Sequence, residues 1–101
     1  MNLFNKTIAE LVHFELVKQN IQLIDLAKKL NVDERTVRYF NEANTSRHYK
    51  LQDLYRIARI LKIDITELLP NEKSLKKIRR NYSDKQIKNL LTEILDSLEQ
   101  Y

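Results

Sequence analysis

The absence of glycine is the feature that most constrains this chain, because its 101 residues include no glycine and only one proline, Pro70. Strands in a compact sheet protein are joined by tight turns, and those turns usually need glycine or proline to reach their backbone angles. A chain of this size without them has few ways to build a sheet. The composition therefore predicts an all-α protein with a modest core.

Apolar spacing predicts which parts of the chain are helical. The predicted helical segments are residues 3–19, 22–30, 33–43, 50–61, 64–69 and 84–101. Asn20 is expected to end the first of them in a left-handed conformation, as glycine otherwise would. We divide the chain into a domain over 1–70, a basic linker over 71–82 and a C-terminal amphipathic helix over 83–101.

Two of these helices are short and joined by a tight turn, in the stretch DLAKKLNVDERTVRYF that begins at Asp25. Asn31 is expected to take left-handed backbone angles in the turn, and Asp33 to cap the second helix by accepting from its free N–H groups. Val37 and Phe40 fall on one face of that helix. The side chains left on its outer side are Glu34, Arg35, Thr36, Arg38 and Tyr39. A helix anchored on one side and rich in arginine on the other suits a DNA major groove.

The same apolar pattern extends well beyond this helix pair. It runs through Leu26-Ala27-Lys28-Lys29-Leu30-Asn31-Val32, Thr36-Val37, Phe40, Leu54, Ile57-Ala58, Leu61, Ile63 and Thr66-Glu67-Leu68-Leu69. In this order and spacing, residues 8–69 resemble the Cro/phage-repressor (Xre) type of helix-turn-helix domain. The resemblance implies a five-helix, lambda-repressor-like domain in a bacterial or phage transcriptional regulator that binds DNA as a dimer.

A second resemblance involves the segment 35–40, which is also similar to the recognition helix of MerR-type activators. In that family a winged β-hairpin follows the helix pair. Here only residues 44–49 separate the helices, and they contain no glycine to turn a hairpin. The Xre-type interpretation is therefore preferred.

The outer side chains of the second helix are the candidates for reading bases, and they are Glu34, Arg35, Arg38 and Tyr39. Arg35 comes first, because a guanidinium can bond N7 and O6 of guanine together. Glu34 could accept from a cytosine amine or only favour the helix N-terminus by its charge. Tyr39 could instead be half-buried packing.

Contacts to DNA phosphates are expected from the start of the first helix of the pair and from the loop after the second. The candidates are Gln22, Thr36, Arg47, His48 and Lys50. Such contacts set register and strength without reading sequence. The alternative is that Thr36 completes the cap and that the loop residues are simply solvated.

The net charge of +4 is concentrated after Pro70, because residues 71–82 carry five basic and one acidic side chain. These basic residues are Lys73, Lys76, Lys77, Arg79 and Arg80. They could contact DNA phosphates nonspecifically or form a solvated linker.

The C-terminal helix repeats apolar residues at a spacing of 4, 3, 4 and 3. The repeat consists of Ile87, Leu91, Ile94, Leu98 and Tyr101. Such a repeat keeps one seam facing a partner helix, so a homodimer interface is expected here. The alternative is that the helix packs back on its own domain.

These observations predict a cytoplasmic regulator, a repressor, that binds a palindromic operator in double-stranded DNA as a homodimer. No cofactor, metal site, catalytic site or membrane contact is expected, since there is no cysteine or glycine-rich loop and the two histidines are far apart. No signal peptide is expected at the N-terminus. The alternative function is a protein-interaction module, an antitoxin or antirepressor, because Phe14 and Val17 lie off the apolar stripe of the first helix.

Overall fold

The computed structural model describes residues 2–40 and 47–99, and every regular element in these two ranges is helical. The all-α prediction is confirmed. The described ranges contain six α-helices: α1 Leu3–Lys18, α2 Leu23–Leu30, α3 Glu34–Phe40, α4 Leu51–Leu61, α5 Glu72–Ile78 and α6 Asp84–Asp96. Short 3₁₀ turns follow α4 at Ile65–Leu68 and α6 at Ser97–Glu99. Within the described ranges, none of the helices has the length and apolar character needed to cross a membrane.

Among the residues that the structure describes, three helices are followed by a residue in the left-handed conformation, although the chain has no glycine. Asn20 and Asn31 have φ of 57° and 58°, as predicted. Lys62 has φ of 57°, and its N–H donates to the last carbonyls of α4. Asparagine tolerates these backbone angles better than most residues do. Lysine is disfavoured there, because its Cβ comes too close to the following carbonyl oxygen. The end of α4 therefore carries a strained residue that the sequence did not mark.

The larger part of the core is built from α1 to α4 and the first 3₁₀ turn. Each of these elements contributes a fully buried side chain, namely Leu16, Leu26, Val37, Ile57 and Leu68. Burial of these side chains removes apolar surface from water and fixes how the helices lie on one another. This core places the α2–α3 pair at one side of the molecule, where α3 packs mainly on α2.

Helix α5 lies in the segment that was expected to be a basic linker. Asn71 caps it, because its Oδ1 accepts from the Ser74 N–H at 2.8 Å while Ser74 Oγ accepts from the Asn71 N–H at 3.0 Å. Leu75 of this helix is fully buried. The linker prediction is therefore wrong for residues 72–78, which form a helix packed on α1 and α6.

Helix α6 packs back on its own domain. Ile87 and Ile94 are buried with Leu75, and Phe4 of α1 packs against them. The Phe4 N–H also donates to Ser97 Oγ just beyond α6, at 3.3 Å.

The predicted dimer seam is accordingly wrong for Ile87 and Ile94, because α5 and α1 supply the apolar partner that a second copy was expected to supply. Leu91 is half-buried in the same cluster. Leu98 is exposed, and Tyr101 lies outside the described residues.

Candidate nucleic-acid interface

The α2–α3 pair is held together by its inner side chains and by the turn between the helices. Leu26 and Leu30 of α2 and Val37 of α3 are buried, as predicted. The left-handed Asn31 turns the chain, and the Val32 N–H donates to the Ala27 carbonyl at 3.0 Å. This hydrogen bond closes the end of α2 and directs the chain into α3.

Asp33 begins α3 in the way that the sequence predicted. Its Oδ1 accepts from the Arg35 N–H at 3.1 Å, and its carbonyl accepts from the Thr36 N–H at 3.0 Å. Glu34 adds a negative charge to the first turn, which favours a helix N-terminus. The start of α3 is thus fixed next to the turn.

Arg56 of α4 supports the same helix pair, although sequence reasoning did not single it out. Its Nη2 donates to the Leu30 carbonyl, which lies at the C-terminal end of α2. Spacing alone marks Arg56 only as an outward-facing residue of α4. The tertiary arrangement gives it a role in positioning α2.

The outer side of α3 carries an exposed ion pair between two predicted base-reading residues. Arg38 Nη2 lies 2.7 Å from Glu34 Oε1, in the i,i+4 arrangement that neighbouring helix turns allow. Arg35 is exposed in the first turn of α3. The two arginines therefore differ, because Arg38 is already held by a carboxylate of its own helix.

Tyr39 is half-buried, as the packing alternative expected, and it contacts a residue from beyond α3. The Arg47 guanidinium lies 5.0 Å from the centre of the Tyr39 ring. A cation at this distance over an aromatic face is attracted by the ring. This contact holds Arg47 beside the recognition-helix candidate.

A groove of about 400 Å³ lies between α3 and the chain before α4, lined by Thr36, Phe40, Arg47, His48 and Lys50. Tyr49, which was not predicted to have a role, is buried, and its ring lies 4.7 Å from that of Phe40. This aromatic contact fixes the segment 47–50 on α3. The groove therefore brings together four of the five predicted phosphate-binding residues.

The fifth of them, Gln22, does not line this groove. It lies at the start of α2, where its backbone N–H donates to Asp25 Oδ2 at 3.4 Å. The structure places it at a helix N-terminus, in keeping with the expected position, but does not bring it to the other four.

Two of the five basic residues predicted to contact phosphates after Pro70, Lys77 and Arg79, are held by carboxylates within the protein. Lys77 Nζ lies 2.8 Å from Glu15 Oε1 and also pairs with Glu67. Arg79 makes a two-pronged contact with Glu10, with N···O distances of 2.8 and 3.0 Å. Internal carboxylates thus hold the charges of Lys77 and Arg79 in the free protein, and nonspecific phosphate contact by these two residues stays a prediction.

The other three basic residues of this segment face solvent. Lys76 is exposed, and its Nζ donates to the Tyr82 carbonyl at 2.6 Å and lies 3.6 Å from Asp84 Oδ1. Lys73 and Arg80 are also exposed. Because α5 packs on α1, α6 and the first 3₁₀ turn, these cations lie on a different part of the molecule from the groove beside α3.

The internal pairs shift the pKa values of Glu67, Lys77 and Arg79 in the direction that keeps these groups charged. The hydrogen bond from Lys77 lowers the pKa of Glu67. Burial opposes the charge on Lys77, but hydrogen bonds to Glu15 and Glu67 outweigh it and raise the Lys77 pKa. The hydrogen bond to Glu10 likewise raises the pKa of Arg79.

Comparison with protein-family models, with curated proteins and with solved structures finds no significant match to this chain. A function for this chain therefore has to be inferred from the residues and geometry of the surface around α3.

Proposed function

We propose that this chain is a sequence-specific DNA-binding transcriptional regulator of the Xre type, with α3 as its recognition helix. One observation carries the proposal. The α2–α3 pair is anchored through its buried inner side, while Arg35 faces outward and the groove beside α3 collects Thr36, Arg47 and Lys50. A helix of this kind flanked by phosphate-binding groups is what a helix-turn-helix domain needs.

In this proposal α1 to α4 and the first 3₁₀ turn form the lambda-repressor-like domain. Helix α3 enters the major groove with its first turn leading, and Arg35 bonds a guanine there. Arg47 and Lys50 contact the phosphates beside it, and Thr36 and His48 add hydrogen bonds. These contacts set the register in which Arg35 meets the bases.

The Glu34–Arg38 pair gives α3 a second way of meeting DNA. An exposed ion pair contributes only about 0–1 kcal/mol, so Arg38 exchanges Glu34 for a phosphate or a base at little cost. Glu34 is then left to accept from a cytosine amine. The pair thus keeps Arg38 ordered in the free protein without blocking its use.

A homodimer would place two copies of α3 in successive major grooves, about 34 Å apart or a multiple of that distance. Such a dimer requires an operator with approximate twofold symmetry. Repression then follows from occupying a promoter.

The test is selection of bound fragments from genomic and random duplexes at about 150 mM salt, where nonspecific binding is weak. We expect a palindromic motif. Arg35→Ala should lose about 1–3 kcal/mol on that motif and little on random DNA. The control, Arg59→Ala, removes the same charge from the exposed side of α4 and should keep the motif. Equal losses on both kinds of DNA would contradict base reading by Arg35, and binding without any motif would contradict the proposed function.

A further inference from the structure

A second groove, of about 510 Å³, lies between the C-terminal half of α1 and α5, away from the surface around α3. Its floor is apolar and consists of Phe14, Val17 and Ile78. Val17 leaves 65% of its surface exposed, the highest value among the exposed large hydrophobic residues of the described chain. An apolar groove lined by so exposed a side chain is suited to receiving apolar groups from another molecule.

Arg80 gives this groove an exposed positive charge, while Glu10 and Lys77, which also line it, are held in ion pairs. Glu10 is held by Arg79, and Lys77 is held by Glu15 and Glu67. The groove therefore favours an occupant that combines apolar side chains with negative charge.

The end of α6 has that combination. Leu95 and Leu98 are 48% and 45% exposed and lie three residues apart on one helical face. Asp96 and Glu99 are exposed beside them. We call these four residues the α6 tip.

One chain cannot place its own α6 tip in its own groove, because the two surfaces lie at opposite ends of α1. The tip adjoins the start of α1, where the Phe4 N–H donates to Ser97 Oγ. The groove lies at Phe14 and Val17, about 15–20 Å further along the helix at 1.5 Å per residue. Two copies with their α1 helices antiparallel bring each tip toward the other copy's groove.

We propose that the α6 tip of a second copy of this chain docks in the α1–α5 groove, with Leu95 and Leu98 against the apolar floor and Glu99 toward Arg80. This inference deepens the proposed function, because it assigns the interface of the homodimer on which that function rests. It keeps Leu98 of the predicted seam but not Ile87 and Ile94, which are buried inside the protomer.

The test is sedimentation equilibrium of the full chain without DNA, on the wild type, Val17→Glu and Leu98→Glu. The wild type should form dimers, and each variant should raise the dimer dissociation constant about tenfold or more, as charges in apolar contacts do. Both substituted side chains are exposed, so circular dichroism and thermal unfolding should show retained folding.

Mixing the two variants distinguishes this interface from other dimers. A mixed dimer keeps one intact contact, the tip of the Val17→Glu chain in the groove of the Leu98→Glu chain, whereas each variant alone has none. The mixture should therefore associate more tightly than either variant. A dimer built tip to tip would be insensitive to Val17→Glu, and one built groove to groove would be insensitive to Leu98→Glu. Either result would overturn the proposal, as would a monomeric wild type.

Exchanging the charges of Arg80 and Glu99 gives a second test of the same contact. Arg80→Glu and Glu99→Lys should each weaken the dimer, and the double variant should recover much of the loss, since opposite charges then face each other again. Additive losses in the double variant would overturn the pairing of Arg80 with Glu99. Because no DNA is present, these results are independent of whether a sequence motif is selected.

Discussion

At the scale of single residues, Lys77 has the most consequential position in the described chain. It joins Glu15 of α1 to Glu67 of the first 3₁₀ turn, and its ammonium lies 5.5 Å from the centre of the Phe14 ring. Glu15 is only 1% exposed, and Lys77 supplies the opposite charge that its buried carboxylate contacts. A buried carboxylate without its partner is strongly destabilising.

Replacing Lys77 by methionine, which keeps most of the side-chain volume, should therefore lower the free energy of unfolding by about 3–5 kcal/mol. Lys76→Met is the matched control on the same helix. Its ion pair with Asp84 is exposed and contributes about 0–1 kcal/mol. Urea unfolding of the two variants measures the difference, and similar losses in both would contradict the role of the buried pair.

The same contact predicts how stability depends on acid. Lys77 holds the pKa of Glu67 in the folded protein below the ordinary value of 4.5. The stability from this contact is present above that value and is lost as the pH falls through the folded pKa, because the unfolded chain takes up the proton first. Urea unfolding between about pH 6 and pH 3 should show this decline. Lys77→Met should make the decline shallower, and parallel profiles for the two proteins would contradict the assignment.

At the scale of elements, the helices end without glycine, and the three left-handed positions are not equivalent. Asn20 and Asn31 are suited to positive φ, whereas Lys62 adopts φ of 57° with a side chain that disfavours it. A residue without a Cβ at the end of α4 would therefore raise the free energy of unfolding.

Lys62→Gly should raise the free energy of unfolding by about 0.5–1 kcal/mol, because glycine reaches this conformation without a steric penalty. Lys62→Ala is the control, since it also removes the charged side chain but keeps the Cβ. Thermal unfolding should show a higher midpoint for the glycine variant alone. An equal gain with alanine would mean that the side chain, and not the backbone, was responsible.

At the scale of the whole molecule, α5 and α6 complete the domain instead of projecting from it. Leu75, Ile87 and Ile94 form a second apolar cluster that covers the start of α1. Their burial joins the last third of the chain to the core built from α1 to α4, so both parts should unfold together.

Ile94→Ala should consequently lower the free energy of unfolding by about 2–5 kcal/mol, since it leaves a cavity beside Leu75 and Ile87. Leu51→Ala, at an exposed leucine of α4, should change it by about 0.5 kcal/mol or less. Denaturation of the two variants provides the measurement. If Ile94→Ala altered association and left unfolding unchanged, the packing of α6 on its own domain would be contradicted.

Structural features that depend only on residues within one or two helical turns could be predicted from the sequence. The left-handed Asn31, the cap at Asp33 and the burial of Val37 depend on neighbouring residues, and the structure confirms all three. The meeting of Thr36, Arg47 and Lys50 in one groove could not be derived from spacing, because it depends on the contact between Phe40 and Tyr49.

The sequence by itself determined the helical class of the protein and the turn between α2 and α3, since the lack of glycine and the local capping residues leave little choice. Only the tertiary structure decided the roles of α5 and α6. Leu75 and Ile78 are too few to mark α5 as an amphipathic helix, and the α6 repeat fits a second copy as well as its own domain. The partners that settle these roles, Glu10 and Glu15 for the cations and the start of α1 for the apolar stripe, are more than 60 residues away along the chain.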